Sequence, residues 1–480
     1  MSITILPTDV LILVLQNLPS RELAALSETC WFLHSLVLEF GWPIYLRLNP
    51  RPSYSLSAER VHWDACTQVR YNCLVDRAWS KSLFVARPLS RPWHGKLQPT
   101  IAISSTRLLV AAGTTIYSYK FSSPSRNFDA PSVQLELSCT VAAPSEGQCR
   151  DITSITFIPD GGADRTFIIG FNDGSMQRIS LPHSVPPKHG HTVLQPSHSK
   201  FFDFGNPIES LSSDGDAVLS LSSSGCAGLT STSSMTSLSQ VIDLKARGWS
   251  SYLSTSSSSP YAAFGVSSPN PLSIHSITES TLVATPCAIL SSSEPHSAAQ
   301  RRSSAVYGIS GVPPSSPWGG SDQIIVSGWY DGVVRVHDLR SADRHTGTGT
   351  PRLLPVLSLQ DALSLEPIYT VACGGGSSSH IAAGSARHSV VAFWDVRSPA
   401  QGWSVHAPGN DSSPVYSIHL ESSRLFGATQ SRSFVYDFGP GVTHQTYPDI
   451  PPAPRGDDGL KPKRRCSVSY YVTKYHHSRN

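Results

Sequence analysis

The chain has 480 residues, a length that suits about two to four domains of roughly 100–200 residues, or one large domain with attachments. Only 15% of its residues are charged and the formal net charge is +3, so composition excludes the strongly basic surface typical of nucleic-acid binding. No apolar run approaches the roughly 20 residues that a membrane-spanning helix needs. Frequent glycine, proline and serine between short apolar runs predict a protein made mainly of β-strands and turns.

The first 40 or so residues differ from the rest because their pattern is helical. Thr8 can cap a helix in which apolar residues recur from Val10 to Leu18, and two shorter helices follow. Three short helices cannot bury all of the large apolar side chains present, which indicates a surface that binds a partner. The alternative is a helical cap on the larger domain.

This segment resembles the F-box, a family motif with a leading Leu-Pro, an acidic residue, paired aliphatics at every turn, and later Leu-x-x-Leu, Cys-aromatic and Trp. The matching residues, over positions 4–47, are Leu6, Pro7, Asp9, Val10, Leu11, Val14, Leu15, Leu18, Leu23, Leu26, Cys30, Trp31 and Trp42. Asp9 stands where the family more often has Glu. The resemblance implies that residues 1–50 are an F-box that docks a Skp-type adaptor and, through it, the cullin and RING subunits of a ubiquitin ligase. The candidates that it implies for the adaptor interface are Leu6, Pro7, Val10, Val14 and Leu15.

Residues 57–79 have a second helical pattern. Ser57 is a candidate cap, and apolar residues recur at helical spacing from Val61 to Leu74. We therefore expect a continuous helix within a spacer at residues 51–92. In an F-box protein such a spacer joins the adaptor-binding unit to the domain that binds the substrate.

From about residue 93 the sequence changes to short strands separated by turns, and three of its segments align with one another. They are VYGI (306–309) with QIIVSGWYDGVVRVHDLR (323–340), IYTV (368–371) with HIAAGSARHSVVAFWDVR (380–397), and VYSI (415–418) with RLFGATQSRSFVYDF (424–438). Each has a first strand, a second strand that ends in a small residue, a polar turn, and a third strand that ends in Asp338, Asp395 or Asp437. Fainter copies occur upstream, where serine-rich sequence obscures the pattern.

The aligned segments resemble the WD repeat, in which about 40–45 residues form one four-stranded blade of a β-propeller. Trp394-Asp395 is the signature pair, and the other two copies carry the variants His-Asp and Tyr-Asp. The resemblance implies a mainly β fold, a WD-repeat propeller over residues 93–440, preceded by the small all-α F-box and the helical spacer. We expect seven blades, with six and eight as the alternatives. In the tail at residues 441–480, the strand-like segment 467–473 is one candidate for closing the ring, and residues 83–86 are the other.

A propeller binds its partners through loops on a fixed frame. Each aligned first strand carries a tyrosine, Tyr307, Tyr369 or Tyr416, at a position that in WD blades points toward one face and the channel. We expect an aromatic patch, a composition frequent at binding hot spots. The turns between second and third strands add Trp329, Arg387 and Arg432 to this candidate substrate-binding surface, and the arginines could pair with a phosphate or a carboxylate. The alternative is that the tyrosines pack between blades and that the arginines are solvated.

The sequence contains no HExxH, P-loop or GxSxG motif, and its nine cysteines show neither CxxC nor zinc-finger spacing. We therefore predict no catalytic residues, no cofactor and no metal site. Scattered cysteines favour a reducing compartment, the cytoplasm and/or the nucleus. The basic stretch at residues 461–465 is either a nuclear import signal or a solvated tail.

The resemblances together imply a non-catalytic substrate receptor of an SCF-type ubiquitin ligase, which binds a target protein for ubiquitination and proteasomal degradation. Two alternatives stay open. Asp338-Leu339-Arg340 and Asp395-Val396-Arg397 form WDxR-like endings, a pattern similar to that of WD-repeat receptors of the cullin ligases with a propeller-type adaptor, although it also holds turn geometry in ordinary repeats. The other alternative is a WD-repeat scaffold without a ligase role. No nucleic acid and no membrane are expected as partners.

Overall fold

The computed structural model describes residues 5–123, 131–142, 150–182, 192–194, 202–232, 240–292, 303–313, 315, 320–341, 349–409, 412–450 and 470–477. Helices are confined to the first 80 residues of this part, and strands follow from residue 85 onward. The predicted order, a small helical unit before a strand-rich body, is confirmed.

The N-terminal unit packs around a small apolar core. Its elements are α1 (Thr8–Leu15), α2 (Ser20–Ser27), α3 (Trp31–Leu36), a π-helical turn (Val37–Gly41) and α4 (Trp42–Leu48). Pro7 and Pro19 directly precede α1 and α2, where a residue without a backbone N–H does no harm. Its buried core consists of Leu11, Leu15, Leu23, Leu36, Val37 and Trp42, and Val69 of the spacer completes it.

The spacer contains two helices, α5 (Ser57–His62) and α6 (Ala65–Ser80). The expected continuous helix over 57–79 is therefore wrong at Trp63 and Asp64. The reason is a helix cap: the Asp64 side chain accepts a hydrogen bond from the backbone N–H of Thr67 at 2.8 Å and so begins a new helix.

The first half of the strand-rich body contains the strands β1 (Val85–Pro88), β2 (Thr100–Ile103), β3 (Arg107–Ala112), β4 (Thr115–Ser122), β5 (Ser132–Val141), β6 (Ile152–Phe157), β7 (Thr166–Phe171), β8 (Ser175–Ser180), β9 (Thr192–Leu194), β10 (Phe202–Asp203), β11 (Ile208–Asp214), β12 (Ala217–Ser222), β13 (Cys226–Ser231), β14 (Gln240–Asp243), β15 (Arg247–Ser254) and β16 (Tyr261–Ser268). The second half contains β17 (Leu272–Thr278), β18 (Thr281–Leu282), β19 (Ala288–Leu290), β20 (Ser304–Gly311), β21 (Ile324–Trp329), β22 (Val333–Asp338), β23 (Arg352–Leu353), β24 (Leu357–Gln360), β25 (Ile368–Gly374), β26 (His380–Ser385), β27 (Val390–Asp395), β28 (Gly402–His406), β29 (Val415–Leu420), β30 (Arg424–Thr429), β31 (Ser433–Asp437) and β32 (Lys474–His476).

These strands pair mainly as antiparallel four-stranded units, which we call blades and number in chain order. Blades 1 to 4 are β2-β3-β4-β5, β6-β7-β8-β10, β11-β12-β13-β14 and β15-β16-β17-β19, and blades 5 to 7 are β20-β21-β22-β24, β25-β26-β27-β28 and β29-β30-β31-β1. A short ladder between β16 and β20 joins blades 4 and 5 into one sheet. The first strands of successive blades contact one another, and β29 contacts β2, so the blades form a ring.

The two chain ends pair with different blades. β1, from the N-terminal side, pairs with β31 and completes blade 7. It overlaps residues 83–86, one of the two segments predicted to close the ring. In the tail, β32 pairs with β28 and adds a fifth strand to blade 6. Of the other candidate strand, residues 467–469 lie outside the described residues, and residues 470–473 do not pair with the last blade as a strand.

Glycines in the second strands let neighbouring blades approach closely. A Cβ atom built on each would lie 2.5 to 3.1 Å from an aliphatic side chain at the start of the next blade. The four pairs are Gly170 with Ile208, Gly265 with Val306, Gly328 with Ile368, and Gly384 with Val415. The small residue that recurs near the end of the second strand is thus needed for contact between blades.

The spacer is attached to one face of the ring. In blades 6 and 7 the first strands end at Gly374 and Leu420, and the loops that follow them contact α6. The Trp79 indole N–H of α6 donates to the carbonyl of Ser422 at 3.0 Å. The same ring lies against Gly375 and Gly376. We call this the helix face, and the opposite face, where the first strands begin, the aromatic face.

Candidate functional site

A β-bulge recurs near the start of the first strand in blades 2 to 7. In each, the register with the second strand shifts around one residue, for example between Val306 and Gly308 in blade 5. The six bulged residues are Thr153, Glu209, Trp249, Tyr307, Tyr369 and Tyr416. A bulge re-aims a side chain relative to the regular pleat, and all six of these residues line one cavity at the mouth of the channel on the aromatic face. That cavity has a volume of about 430 Å³.

Four of the bulged side chains form a continuous arc of rings, which we call the aromatic arc: Trp249, Tyr307, Tyr369 and Tyr416. The ring centroids of neighbouring members are 4.9, 5.2 and 5.7 Å apart, in that order. The first two contacts are edge-to-face and the third is stacked, geometries that aromatic pairs prefer. The three predicted tyrosines are therefore brought together at the channel mouth.

The three tyrosines of the arc are half-buried, and all three line the cavity. Burial raises the pKa of Tyr307 and of Tyr416. Both phenols therefore stay protonated at neutral pH and can donate hydrogen bonds to a ligand.

Among the described residues that line the cavity, the only charged ones are Glu209 and Arg247, and they pair with each other. Arg247 Nη2 lies 3.1 Å from Glu209 Oε1, and its guanidinium carbon lies 4.0 Å from the centroid of the Trp249 ring. Burial raises the pKa of Glu209 against the effect of Arg247, which lowers it. The arginine is the more accessible partner, with 51% of its side chain exposed against 20% for the glutamate.

The predicted turn residues have different environments. Trp329 is wrong as a surface residue: it is 0% exposed and packs with Val306 and Ile325 between blades 4 and 5. Trp329 is the last residue of β21, where it pairs with Val306 of β20. Its indole N–H donates to Ser327 Oγ at 2.8 Å, so the polar edge of the ring needs no solvent.

The two predicted arginines lie in turns at the aromatic face but not in the cavity lining. Arg387 is exposed and forms a 3.7 Å ion pair with Glu366. The Arg432 guanidinium lies over Gly409, where a built Cβ would come within 3.2 Å of its central carbon. Their role in binding a substrate stays a prediction.

Sequence comparison missed Trp249, Glu209 and Arg247. The aligned tyrosines lie between an aliphatic residue and a small or hydroxyl residue, whereas Trp249 follows Gly248 and so falls outside that pattern. A signal was available in the faint repeat at residues 260–277. If that repeat supplies the second and third strands of a blade, the segment before it must supply the first strand. Trp249, near the start of that first strand, then corresponds to the tyrosines.

Residues 3–41 match the F-box domain family, and they include the helices α1 to α3 described above. The chain thus joins an F-box domain to a β-propeller. Solved structures similar to it include U3-55K, with a TM-score of 0.50 and 11% identity over 74% of this chain and 98% of that one. Two others are the WD40 β-propeller domain of Doa1, with a TM-score of 0.47 and 14% identity over 73% of this chain and 96% of that one, and Sqt1 of Chaetomium thermophilum bound to the N-terminus of ribosomal protein L10, with a TM-score of 0.47 and 15% identity over 70% of this chain and 81% of that one.

At this level of identity the likeness to U3-55K shows the fold alone. No curated protein matches the chain significantly. None of the helices in the described residues combines the length and the apolar composition that a membrane span requires.

The F-box exposes a row of apolar side chains along α1. Leu6, Val10, Leu13 and Val14 follow one another at helical spacing and are exposed, Leu13 by 59%. Pro7 is also exposed. Leu15 is wrong as an interface candidate, because it is 2% exposed and packs inside the F-box core. Leu13 was missed because the family pattern pairs the aliphatics on either side of it.

The WDxR-like endings of the propeller form local turns. Asp338 accepts hydrogen bonds from Nε and Nη2 of Arg340, both at 2.9 Å. Asp395 does the same with Arg397, at 3.0 and 2.6 Å. Each guanidinium is thus held by the carboxylate two residues before it, as the turn-geometry interpretation predicts.

Proposed function

We propose that the chain is an F-box/WD-repeat protein and serves as the substrate-recognition subunit of an SCF-type ubiquitin ligase. The observation that carries the proposal is the separation of two unlike apolar surfaces. The exposed row on α1 of the F-box suits a Skp-type adaptor, and the aromatic arc suits a protein target. They belong to opposite sides of the assembly, because the spacer packs on the helix face and the arc opens on the aromatic face. Adaptor and target could therefore be held at the same time.

Contacts between spacer and ring support a rigid connection between the two surfaces. Arg51 forms a bidentate ion pair with Asp76, at 2.6 and 2.7 Å, and also donates to the carbonyl of Gly376. The buried carboxylate of Glu421 accepts hydrogen bonds from the backbone N–H of Ser55 at 2.8 Å and from its hydroxyl. Buried charge-assisted hydrogen bonds hold geometry well because breaking one leaves an unpaired charge.

In this role the chain does no chemistry itself. It binds the target on the aromatic face and, through the adaptor, cullin and RING subunits, keeps target lysines near the ubiquitin-carrying enzyme. Binding of this kind raises the effective concentration of the reacting groups without a catalytic residue in the receptor. Ubiquitination would mark the target for proteasomal degradation. The reducing compartments expected from the cysteine pattern, the cytoplasm and the nucleus, are where we place this activity.

Co-purification of the full chain with a Skp-type adaptor tests the proposal. Val10→Asp and Leu13→Asp each add a charge to the exposed row without entering the F-box core, and we expect each to weaken adaptor binding by at least tenfold, about 1.4 kcal/mol. Val61→Asp is the matched control, because Val61 is an exposed aliphatic residue on α5. Equal adaptor binding by all of these variants and the unaltered chain would contradict the proposal.

The same experiment separates the alternatives. A receptor for the other cullin class would keep its ligase partner in the Val10→Asp variant and lose it in Arg340→Ala or Arg397→Ala. A scaffold without a ligase role would bind no adaptor in any form.

A further inference from the structure

We infer that the aromatic arc binds an uncharged, proline-rich segment of the target in the polyproline II conformation. The inference rests on the proposed function only where it calls the bound protein a target for ubiquitination. The binding surface itself is argued from the arc and the residues that border it.

The first argument is charge. The cavity contains one acidic and one basic residue, Glu209 and Arg247, and each neutralises the other. A phosphate would have to compete with Glu209 for the guanidinium, and a basic side chain would have to compete with Arg247 for the carboxylate. An uncharged segment avoids both costs, since it leaves the pair intact.

Further ion pairs border the arc in the same way. Arg335 of β22 donates two hydrogen bonds, at 2.9 and 2.7 Å, to Asp331 in the turn between β21 and β22. On the neighbouring turn, Arg387 pairs with Glu366. The positive charges of these two arginines are thus balanced locally, so the two pairs offer a ligand no strong net field.

The second argument is the chemistry of the rings. A polyproline II segment has no internal hydrogen bonds, so its carbonyl groups need donors, and protonated tyrosine hydroxyls in the cavity are such donors. Its pyrrolidine rings pack against aromatic faces in the grooves that recognise such segments. The spacing fits as well: neighbouring rings are 4.9 to 5.7 Å apart, and two residues of polyproline II advance about 6 Å.

The third argument is the surface beside the arc. Tyr330 is exposed, and its ring lies 6.4 Å from that of Tyr307. Leu363 and Leu365, in the loop between β24 and β25, are 61% and 71% exposed, and this loop packs against the turn at Gly332. The apolar surface therefore extends outward from the channel mouth over blade 5. An extended ligand that is longer than the cavity needs such a surface beside it.

A titration with labelled peptides tests the inference on the full chain. Fluorescence anisotropy would follow a fluorescein-labelled peptide of ten prolines, a Gly-Ser peptide of the same length, and a Gly-Ser peptide with one phosphoserine. We expect the proline peptide to bind at least tenfold more tightly than either of the others. Equal binding of the proline and Gly-Ser peptides, or tighter binding of the phosphopeptide, would overturn the inference.

Substitutions then locate the site. Tyr369→Ala removes the ring that contacts both of its tyrosine neighbours, so we expect at least a fivefold loss of affinity for the proline peptide, and Tyr369→Phe should lose less. Tyr330→Ala and Leu365→Ser change exposed side chains, leave the fold intact, and should weaken binding by about two- to threefold. Tyr471→Ala is the matched control, as an exposed tyrosine outside this surface. An unchanged affinity in the Tyr369, Tyr330 and Leu365 variants alike would refute the assignment.

This experiment does not depend on the adaptor. Proline-peptide binding by a chain that fails to bind a Skp-type adaptor would leave the inference standing and remove the proposed ligase role. Adaptor binding without proline-peptide binding would do the reverse.

Discussion

The indole ring of Trp79 lies almost parallel to the ring of Phe438, with 3.8 Å between the centroids and 11° between the planes. Trp79 belongs to α6 of the spacer, and Phe438 directly follows the third strand of blade 7. Around this stack, Phe393 and Trp403 of blade 6 and Phe84 before β1 complete one aromatic cluster. The joint between the F-box side and the propeller is therefore a hydrophobic core, not a hinge.

Trp79→Ala is expected to lower the free energy of unfolding by about 3–5 kcal/mol, as for other buried large aromatic residues. The loss has two parts, since the variant leaves a cavity among four rings and leaves the carbonyl of Ser422 without its indole donor. Urea unfolding followed by circular dichroism measures the change. Trp31→Ala is the control, because Trp31 is exposed and its loss should change stability by less than about 0.5 kcal/mol. A similar, small effect of both substitutions would contradict the described joint.

Gly384→Ala is expected to destabilise the ring by about 1–3 kcal/mol through overpacking. The added Cβ would lie 2.7 Å from Thr370 Cγ2 and 2.8 Å from Val415 Cγ1, so blade 7 must move away from blade 6. Gly349→Ala provides the comparison, since nothing lies within 4 Å of a Cβ built there. Thermal unfolding of the two variants should show a lower midpoint for Gly384→Ala alone, and equal midpoints would show that this contact is not limiting.

The repeats explain how much of the site could be predicted. Tyr307, Tyr369 and Tyr416 occupy equivalent positions in the three best-aligned segments, so their proximity follows once those segments are blades of one ring. The bulge that aims them into the cavity leaves no such mark in composition, and Trp249 was missed because its strand lacks the flanking aliphatic residue.

Errors arose where tertiary burial decides a residue's role. Trp329 follows the pattern of a turn residue, but neighbouring blades bury it completely. Leu15 matches the family motif as well as Val10 does, and only the packing of α1 against α2 and the π-helical turn decides which of the two faces solvent. Sequence periodicity predicts which residues share a face of a helix, but not which of two apolar faces is buried in a small core.

The docking of the C-terminal tail should depend on pH through Asp361. Burial alone would raise the pKa of this carboxyl, but hydrogen bonds from His477 and Tyr475 outweigh it and lower the pKa to about 2. A carboxyl with a lowered pKa stabilises the folded state fully above its unfolded pKa, near 4, and loses that contribution as the pH falls toward 2.

We therefore expect Asp361→Asn to reduce stability at pH 7 and to have little effect at pH 2. Tyr475 donates to Asp361 at 2.7 Å and Ser404 donates at 2.9 Å, so the variant weakens the attachment of β32 to blade 6. Urea unfolding of both proteins at pH 7, 4 and 2 measures the difference. A difference that stays constant over this range would mean that the ionised carboxylate does not hold the tail.

Asp338 and Asp437, which the repeat pattern treats as equivalent, should differ sharply in their contribution to stability. The residue opposite each one in the second strand decides this. Asp338 faces Ile324 and binds only Arg340 of its own turn, whereas Asp437 faces Arg424, and both of those side chains are 0% exposed. Removing one partner of a buried ion pair costs about 3–5 kcal/mol, and an exposed pair contributes about 0–1 kcal/mol.

Asp437→Ala should accordingly lower the free energy of unfolding by about 3–5 kcal/mol, and Asp338→Ala by at most about 1 kcal/mol. The larger loss arises because Arg424 would keep a buried charge, 3.0 Å from an empty position, and because Tyr447 and the N–H of Gly439 would lose the acceptor that they share. Adding Arg424→Met to Asp437→Ala removes the unpaired charge, so the double variant should be more stable than Asp437→Ala alone. If it is less stable, contacts of the guanidinium other than the carboxylate outweigh the cost of its unpaired charge, among them the hydrogen bond from Nη2 to the carbonyl of Pro131 at 2.6 Å and its position over the Tyr447 ring.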